Sequence, residues 1–583
     1  MERQYIQEMI RKKLILLIGF VVMSAMSCFA DISTTHQQLD EFSFKKGVKA
    51  SGGLSLTNNF YAGSDSLVKR DPYAFYLNGS LNINLWGISM PFSFSLSNTQ
   101  KSYTQPFNRF KLDPSYKWVH LLIGTNTLEM SKYTLSDHDF CGVGVELTPD
   151  KWNISAMYGR LNKAVEYDPL VANYQTVAFK RMGYAAKVGY TADFGGEYNV
   201  SFFHGEDDET SLSRIPDESY LSPKKNTAIS VMVSQKFLKY FFVRAEYAFS
   251  VYNSNLFNED NEPVQTKSFI DKIFKKNPSE RYVDAINGSI GYQGNIWGLS
   301  FNYERVSPNY STLGGYYFTN DIENFTFAPN VKLLEGKINI SGNVGFQYTN
   351  LDGTKTTDTR NNVYSANASF NSGEHWTASL SFSNFNTYTK VKPQAYPYYA
   401  DALDSLNFYQ VSRSASAMTS YNWGGDALKN VVSLTGSYQT ANMLSEKKLT
   451  SYSDYFSGNL SFSQQVTGLK LGWSSYMMAS YTDATNMETV YWGPGVSISK
   501  QFFEDKLSTG LSTTYNVNDV SGMTKGALLN TSVNASYSIQ PKKKQFGNHT
   551  FSLSSGFTRY IGGMVSGDNT YEFLSSLTYR CGF

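Results

Sequence analysis

Apolar and polar side chains alternate along residues 81–97, which read LNINLWGISMPFSFSLS. The apolar residues fall at odd positions before Trp86-Gly87 and at even positions after it, where they alternate with serines. Such a period of two predicts strands with one apolar face, and the two residues at the break predict a tight hairpin turn. The same alternation recurs at 73–85, at 455–463 and at the end of the chain, so we predict a meander of long antiparallel strands.

Short and long connections alternate along this meander, which predicts that all tight turns lie at one end of the strands and all long loops at the other. A first strand at about 48–61, a last one at about 570–583 and the strands between them give roughly 26 strands, within a range of about 24 to 28. The long segments include 163–181, 207–225, 254–281, 307–321 and 389–403. Tight turns are predicted near Trp86-Gly87, Asp113-Pro114-Ser115, Pro149-Asp150, Gly195-Gly196, Leu238-Lys239, Gly294-Asn295, Glu335-Gly336, Ser372-Gly373, Gly424-Gly425, Thr467-Gly468, Glu504-Asp505 and Pro541 to Gln545.

The tryptophans collect at the tight-turn end of these strands. Indole is amphipathic and settles at a membrane–water boundary, so a ring of tryptophans there predicts the periplasmic interface of a membrane barrel. An array of soluble β-sandwiches is the alternative, but it gives no reason for tryptophans at one end of every hairpin. We therefore predict an all-β fold, a single closed antiparallel transmembrane β-barrel with short periplasmic turns and long extracellular loops. The predicted girdle is Trp86, Trp118, Trp152, Trp297, Trp376, Trp423 and Trp473, with Trp492 at the other end.

The composition agrees with a barrel and excludes other classes. Lys+Arg number 51 against 49 for Asp+Glu, so no overall field points to a nucleic-acid partner. Mean hydropathy is −0.35, and no apolar run reaches the roughly 18 residues that a spanning helix needs. Charged residues make up only 17% of the chain.

The beginning of the chain predicts secretion. Arg11, Lys12 and Lys13 precede a short apolar run that ends in small residues, which is the arrangement of a signal peptide. We predict a signal peptide over 1–30, with translation starting at Met1 or Met9, a short periplasmic tail over 31–47 and the barrel over 48–583. Cys28 leaves lipidation open as an alternative to cleavage after Ala30.

Two cysteines remain after such cleavage, Cys141 and Cys581, on strands far apart in the predicted order. Strands lie about 4.8 Å apart and a disulfide needs Cα atoms within about 7 Å, so no disulfide is predicted. Tyr579, Cys581 and Phe583 share one face of the last strand. The resulting ending is similar to the C-terminal insertion signal of outer-membrane barrels, which implies the barrel-assembly machinery as a partner during insertion.

Residues 91–184 contain the stretches PFSFSLSN, QPFNRF, PSYKW, SKYTLSDHDFCGVGVELTPDKW, AMYGRLNKAV and FKRMGY. In these stretches the chain resembles large outer-membrane barrels of the Bacteroidota, a porin-like family of uncertain function. This resemblance implies an integral position in the Gram-negative outer membrane and a barrel architecture. It implies no activity.

Few residues could carry chemistry. No two of the six histidines have the spacing of metal ligands on one helix face. The stretch Asp137-His138-Asp139 is interpreted as a solvated loop tip, with a metal or acid–base role as the alternative. The acidic runs at 205–209 and 258–262 could hold calcium, but the simpler interpretation is that they are solvated parts of loops. We predict no catalytic residue, no metal, no cofactor and no enzyme.

One loop segment, 267–276, has an amphipathic pattern. Phe269, Ile270, Ile273 and Phe274 share one helical face, away from most of the lysines. This face is a candidate contact for the barrel's own rim, the lumen, lipopolysaccharide or a partner.

A barrel of this size has a backbone diameter on the order of 50 Å and would leak if it were open. The 17 residues from Asp31 to Gly47 are too few for a plug domain, so either inward-folded loops or a lipoprotein or periplasmic partner must close the lumen. We expect a porin-like channel, or the membrane conduit of a transport or export complex, in contact with outer-membrane lipid and lipopolysaccharide. The alternative is a non-conducting scaffold barrel that binds a surface lipoprotein or another partner.

Overall fold

The computed structural model shows an almost purely β architecture. It describes residues 47–64, 71–98, 108–167, 177–215, 221–258, 280–316, 319–354, 360–384, 387–391, 407–445, 448–484, 487–521, 526–541, 547–562 and 569–583. The predicted signal peptide and nearly all of the predicted tail therefore lie outside the described residues. No helix in the described ranges is long and apolar enough to cross a membrane.

The first half of the barrel contains β1 to β13, numbered in chain order. They are β1 Val48–Gly63, β2 Tyr73–Leu85, β3 Ile88–Ser97, β4 Arg109–Leu112 with Ser115–Tyr116, β5 Val119–Thr127, β6 Asp139–Leu147, β7 Trp152–Asn162, β8 Arg181–Thr191, β9 Gly196–Asp207, β10 Lys225–Phe237, β11 Phe241–Asn253, β12 Glu280–Gln293 and β13 Trp297–Val306.

The second half contains β14 to β26 and has the longest strands. They are β14 Ile322–Leu333, β15 Ile338–Thr349, β16 Arg360–Asn371, β17 Trp376–Ser383 with Thr387–Val391, β18 Asn407–Gly424, β19 Leu428–Ser445, β20 Lys448–Val466, β21 Leu471–Ala484, β22 Met487–Phe502, β23 Leu507–Val520, β24 Gly526–Ile539, β25 Asn548–Ile561 and β26 Thr570–Gly582. Single 3₁₀ turns lie at Leu256–Asn258, Leu334–Gly336 and Thr467–Leu469.

The sheet closes on itself. Each strand pairs antiparallel with its neighbour in sequence, and β1 pairs with β26 from Gly53↔Gly582 to Gly63↔Glu572. Two strands, β4 and β17, are interrupted. The two segments of β4 both pair with β3 and with β5, and the two segments of β17 both pair with β18. The predicted closed antiparallel barrel of 26 strands is therefore confirmed.

The hairpin at 81–97 forms as the alternation predicts. Leu85 pairs with Ile88, and Trp86-Gly87 make the two-residue turn with φ values of 53° and 107°. Positive φ at both central positions matches the right-handed twist of the strands, and glycine adopts it without steric cost. The amide of Gly87 donates to Asn84 Oδ1 at 3.2 Å, which closes the turn.

Two details of the predicted meander are wrong. Asp113-Pro114 is a break inside β4 and the turn lies at Lys117-Trp118, because Ser115 pairs with Ser89 on one side and His120 on the other. The strict alternation of short and long connections also fails in the second half. Only two residues separate β19 from β20, and two separate β21 from β22, because these strands extend into the segments predicted as loops.

The strand registers assign every side chain to an outer or an inner face. Val200 and Val231 pair on the outer face of β9 and β10 and are 50% and 46% exposed, whereas the neighbouring Ser201 and Ser230 pair on the inner face. Large apolar side chains continue on the outer face around the barrel, as at Phe327, Leu434, Leu460 and Leu577. The wall is apolar outside and mostly polar inside.

Gly345 on the inner face of β15 allows a close approach of β14. A Cβ at this position would overlap the carbonyl oxygen of Phe325, so we expect Gly345→Ala to cost about 1–3 kcal/mol of barrel stability. The loss is measured as a lower urea midpoint of the heat-modifiable band on gels. Gly436→Ala is the matched control, because its Cβ would meet nothing nearer than the Ser457 carbonyl oxygen at 3.9 Å. Equal losses in both variants would contradict the steric explanation.

Candidate functional site: the lumen and its loop insert

Part of the inner wall of one sector, β5 to β9, is apolar rather than polar. Its inward side chains form one buried cluster with residues from two loops. Polar side chains normally face the lumen of a water-filled barrel, so this apolar patch requires a cover. The cluster contains Leu122, Phe140, Met157, Leu161, Ala185 and Phe203 from the wall and Leu128, Met130, Leu135 and Leu313 from the loops.

The cover consists of residues 128–138, which follow β5, and residues 307–316, which follow β13. We call these two segments together the lumen insert. They pair with each other through a parallel bridge between Leu135 and Gly314, and the amide of Ser136 donates to the Gly314 carbonyl at 3.0 Å. Thr312 Oγ1 donates to the carbonyl of Thr134 at 2.7 Å. The two segments therefore form one unit, although about 180 residues separate them in the chain.

The first segment is anchored on inward carboxylates of β11 and β13. Lys132 Nζ lies 2.5 Å from Glu304 Oε1, and Tyr133 Oη donates to the same oxygen at 2.8 Å. Ser131 Oγ donates to Glu246. Tyr133 is fully buried, so its ring packs against the wall in addition to the hydrogen bond of its hydroxyl. Burial and the nearby Glu304 raise the pKa of Tyr133 far above its usual value, so its hydroxyl remains a donor.

The second segment is anchored by hydrogen bonds to β10 and β11. Ser250 Oγ donates to the Ser311 carbonyl at 2.8 Å, and the Leu313 amide donates to Asn226 Oδ1 at 3.1 Å. Tyr310 Oη donates to the carbonyl of Tyr133 at 2.7 Å. These bonds satisfy backbone groups that would otherwise be buried without partners.

The opposite sector has a different inner wall. Among the described residues of β20 to β25 from 454 to 561, no inward position carries a charged side chain, and serine, threonine, asparagine, glutamine, glycine and tyrosine dominate. We call this sector the neutral arc. By contrast, the inner wall of β6 to β13 carries Glu146, Lys187, Glu197, Arg244, Glu246 and Glu304.

The structure places seven tryptophans at the tight-turn end. Trp86 and Trp118 lie in turns, Trp152, Trp297 and Trp376 begin their strands, and Trp423 and Trp473 lie within three residues of a strand end, whereas Trp492 lies inside β22. Rings also contact each other along this edge, with centroid distances of 5.8 Å for Tyr421–Trp423 and 5.3 Å for Phe462–Trp473. The role of these residues at a membrane interface stays a prediction.

The remaining predicted residues are not brought together. Tyr579 accepts or donates a 2.8 Å hydrogen bond with His549 Nδ1, and Phe583 pairs with Gly52 through both backbone bonds. Cys141 and Cys581 are not joined by a disulfide. The insertion signal of Tyr579, Cys581 and Phe583 stays a prediction. The candidate contact of Phe269, Ile270, Ile273 and Phe274 lies outside the described residues.

His138 is not in a solvated loop tip, and that interpretation is wrong. It is buried and stacks on Tyr316 with a centroid distance of 4.2 Å. Burial and the nearby Asp139 raise the pKa of Tyr316 to about 12, so this ring stays neutral. The acidic run at 205–209 lies mostly at the end of β9, where Asp207 accepts a 2.7 Å hydrogen bond from Arg181 Nε. The described residues contain no group of three acidic, cysteine or histidine side chains placed to hold a metal.

The sequence leaves open whether loops or a partner fill the lumen, and the lumen insert was not predicted from it. A signal was present, since strand 152–162 has apolar residues on both faces, with Met157 and Leu161 on the inner one. Two apolar faces on a strand of a polar-lined barrel indicate that something covers the inner face.

Of three comparisons with known proteins, only the one with solved structures finds matches. No family model matches the chain, and a search of curated proteins finds no match. Among solved structures, the P pilus usher PapC translocation pore matches at 10% identity and TM-score 0.35, over 91% of this chain and 99% of that one.

Two receptors from Pseudomonas aeruginosa give similar values. The siderophore receptor PirA matches at 12% identity and TM-score 0.36, over 91% of this chain and 80% of that one. The ferric enterobactin receptor PfeA matches at 12% identity and TM-score 0.38, over 92% and 82%. Such values carry no argument about activity, and the barrel architecture rests on the strand pairing described above.

The anchoring of the lumen insert can be tested at Tyr133. Tyr133→Ala removes a buried ring and a hydrogen bond to Glu304, so we expect the insert to lose about 3–5 kcal/mol of docking stability. The loss is measured as faster amide hydrogen exchange over residues 128–138. Tyr158→Ala is the control, because this ring is 57% exposed on the outer face of β7. Unchanged exchange in Tyr133→Ala would show that the ring does not hold the insert.

Proposed function

We propose that the chain is an integral outer-membrane barrel that acts as a non-enzymatic transport conduit, with the lumen insert narrowing its passage. The observation that carries the proposal is the combination of a closed sheet, an apolar outer wall and a mostly polar inner wall. A bilayer requires every backbone group to be paired within the protein, and closure meets this requirement.

The outer wall supports a position in a membrane. Large apolar side chains such as Val344, Leu380, Leu460 and Val496 are each at least half exposed on this wall. A water-soluble protein rarely exposes an apolar surface that continues around the whole molecule. The tryptophan edge would lie at the periplasmic interface, where indole rings are most stable.

The insert supports the role of a conduit with a restricted lumen. It is held by at least four hydrogen bonds or ion pairs to inward side chains of β10, β11 and β13, so it is a defined structure inside the barrel. Its contacts lie on one side of the lumen, which would leave the neutral arc to border the passage. Closure by a lipoprotein or periplasmic partner would complement this arrangement.

Conductance in planar bilayers tests the proposal. We expect the purified barrel to carry a small, stable current, and the double variant Tyr133→Ala/Tyr310→Ala to carry a larger and less steady one, because its insert is released. Tyr158→Ala should behave like the unmodified barrel. If the folded barrel and the double variant are both silent, the conduit proposal is wrong, and a scaffold that binds a partner becomes the better explanation.

A further inference from the structure

The charge on the inner wall is divided between two sectors, and this division indicates the cargo. We infer that the passage takes uncharged, hydroxyl-rich molecules of the oligosaccharide class along the neutral arc. The inference rests on the proposed conduit and adds a substrate class to it. It is carried by the accessibility of the neutral arc, by its hydroxyl pairs and by an aromatic and amide cluster on β21 to β23.

In the part of the chain that the structure describes, no segment packs over the neutral arc, whereas the insert buries part of the opposite wall. Inward side chains under the insert, such as Ser201 and Ser250, are 1% and 0% exposed. Inward side chains at and beside the neutral arc, such as Tyr455 and Met418, are 37% and 46% exposed. A molecule inside the lumen would therefore meet hydroxyl and amide groups on this side.

Serine hydroxyls pair across neighbouring strands of this wall. In each pair one hydroxyl donates to the other, so the accepting serine keeps its own O–H for a partner in the lumen. Each pair thus offers one donor and free acceptor lone pairs, which is the complement of a sugar hydroxyl. The pairs are Ser433–Ser461 at 2.6 Å, Ser437–Ser457 at 2.6 Å, Ser474–Ser497 at 2.7 Å, Ser512–Ser532 at 2.7 Å and Ser536–Ser552 at 3.0 Å.

Two glycines on β22 create a cluster of ring and amide groups on the same wall. The ring of Tyr476 lies over Gly495, where any Cβ would overlap it. The side-chain oxygen of Asn516 lies over Gly493 in the same way, and it has no hydrogen-bond partner although its residue is 1% exposed. The partly exposed ring of Tyr476 beside the hydroxyls offers both apolar contact and a directional hydrogen bond, which sugar rings need, whereas the buried Asn516 supports the wall behind it.

A charged cargo is disfavoured by the same wall. A charge that leaves water needs a partner of opposite sign, and the described inward positions of β20 to β25 between residues 454 and 561 offer none. An uncharged hydroxylated cargo exchanges hydrogen bonds to water for equivalent hydrogen bonds to the wall. Its binding free energy at each position is therefore small, and the cargo can move along the passage.

The test uses maltohexaose, hexaglutamate and a polyethylene glycol of equal hydrodynamic size, with the full chain folded in detergent or in bilayers. We expect only maltohexaose to bind in calorimetry and to interrupt the current transiently. Ser461→Asp places a charge on the neutral arc and should weaken maltohexaose binding roughly 2- to 10-fold, which corresponds to the net contribution of one hydrogen bond. Ser234→Asp is the matched control, because Ser234 is also inward and half-buried but lies in the charged sector.

The outcomes separate this inference from the proposed function. Equal interruption by all three probes, or equal weakening in both variants, would overturn the oligosaccharide class while the conduit stands. Maltohexaose binding to a barrel that carries no current would support the ligand class of the wall and contradict the conduit.

Discussion

The pairing of β1 with β26 is the constraint on which the rest of the structure depends. An open sheet of this length would leave two edges of unpaired N–H and C=O groups, which a bilayer does not tolerate. The register from Gly53↔Gly582 onward, together with the two bonds between Gly52 and Phe583, removes both edges. Closure then defines an inner and an outer face of the sheet. Because side chains alternate between the two faces along each strand, the position of a residue in the strand register determines whether its side chain faces the lumen or the surroundings.

The lumen insert uses this interior for packing that resembles a soluble core. Its leucines and Met130 cover an apolar wall, while Glu246 and Glu304 hold its polar groups. One sector of the barrel is therefore thick and internally supported, whereas the opposite sector is a single layer stabilised by cross-strand hydroxyl pairs. This asymmetry gives the two sides of the lumen different chemistry within one continuous sheet.

Much of the fold could be predicted from the sequence because its pattern is local. A period of two and a pair such as Trp86-Gly87 determine strands and turns without distant information. A turn was wrongly predicted at Asp113-Pro114-Ser115. Proline lacks an N–H and interrupts the strand, but the strand resumes at Ser115, which pairs with a residue of β3 on one side and of β5 on the other. The insert could not be predicted from the sequence because Leu135 and Gly314 meet only in the folded barrel. His138 was predicted to be solvated because Tyr316, on which it stacks, is remote in sequence.

The position of the insert's contacts also has a consequence for the order of assembly. The contacts named above join the insert to β5 through β14, all of which precede the neutral arc in the chain. Every contact needed to build the thick sector therefore lies at or before β14 in the chain, so this sector can form without the C-terminal strands. The strands of the single-layered sector would then pair one after another, starting from that preformed sector. The pairing of the final strand with β1 would be the last to form.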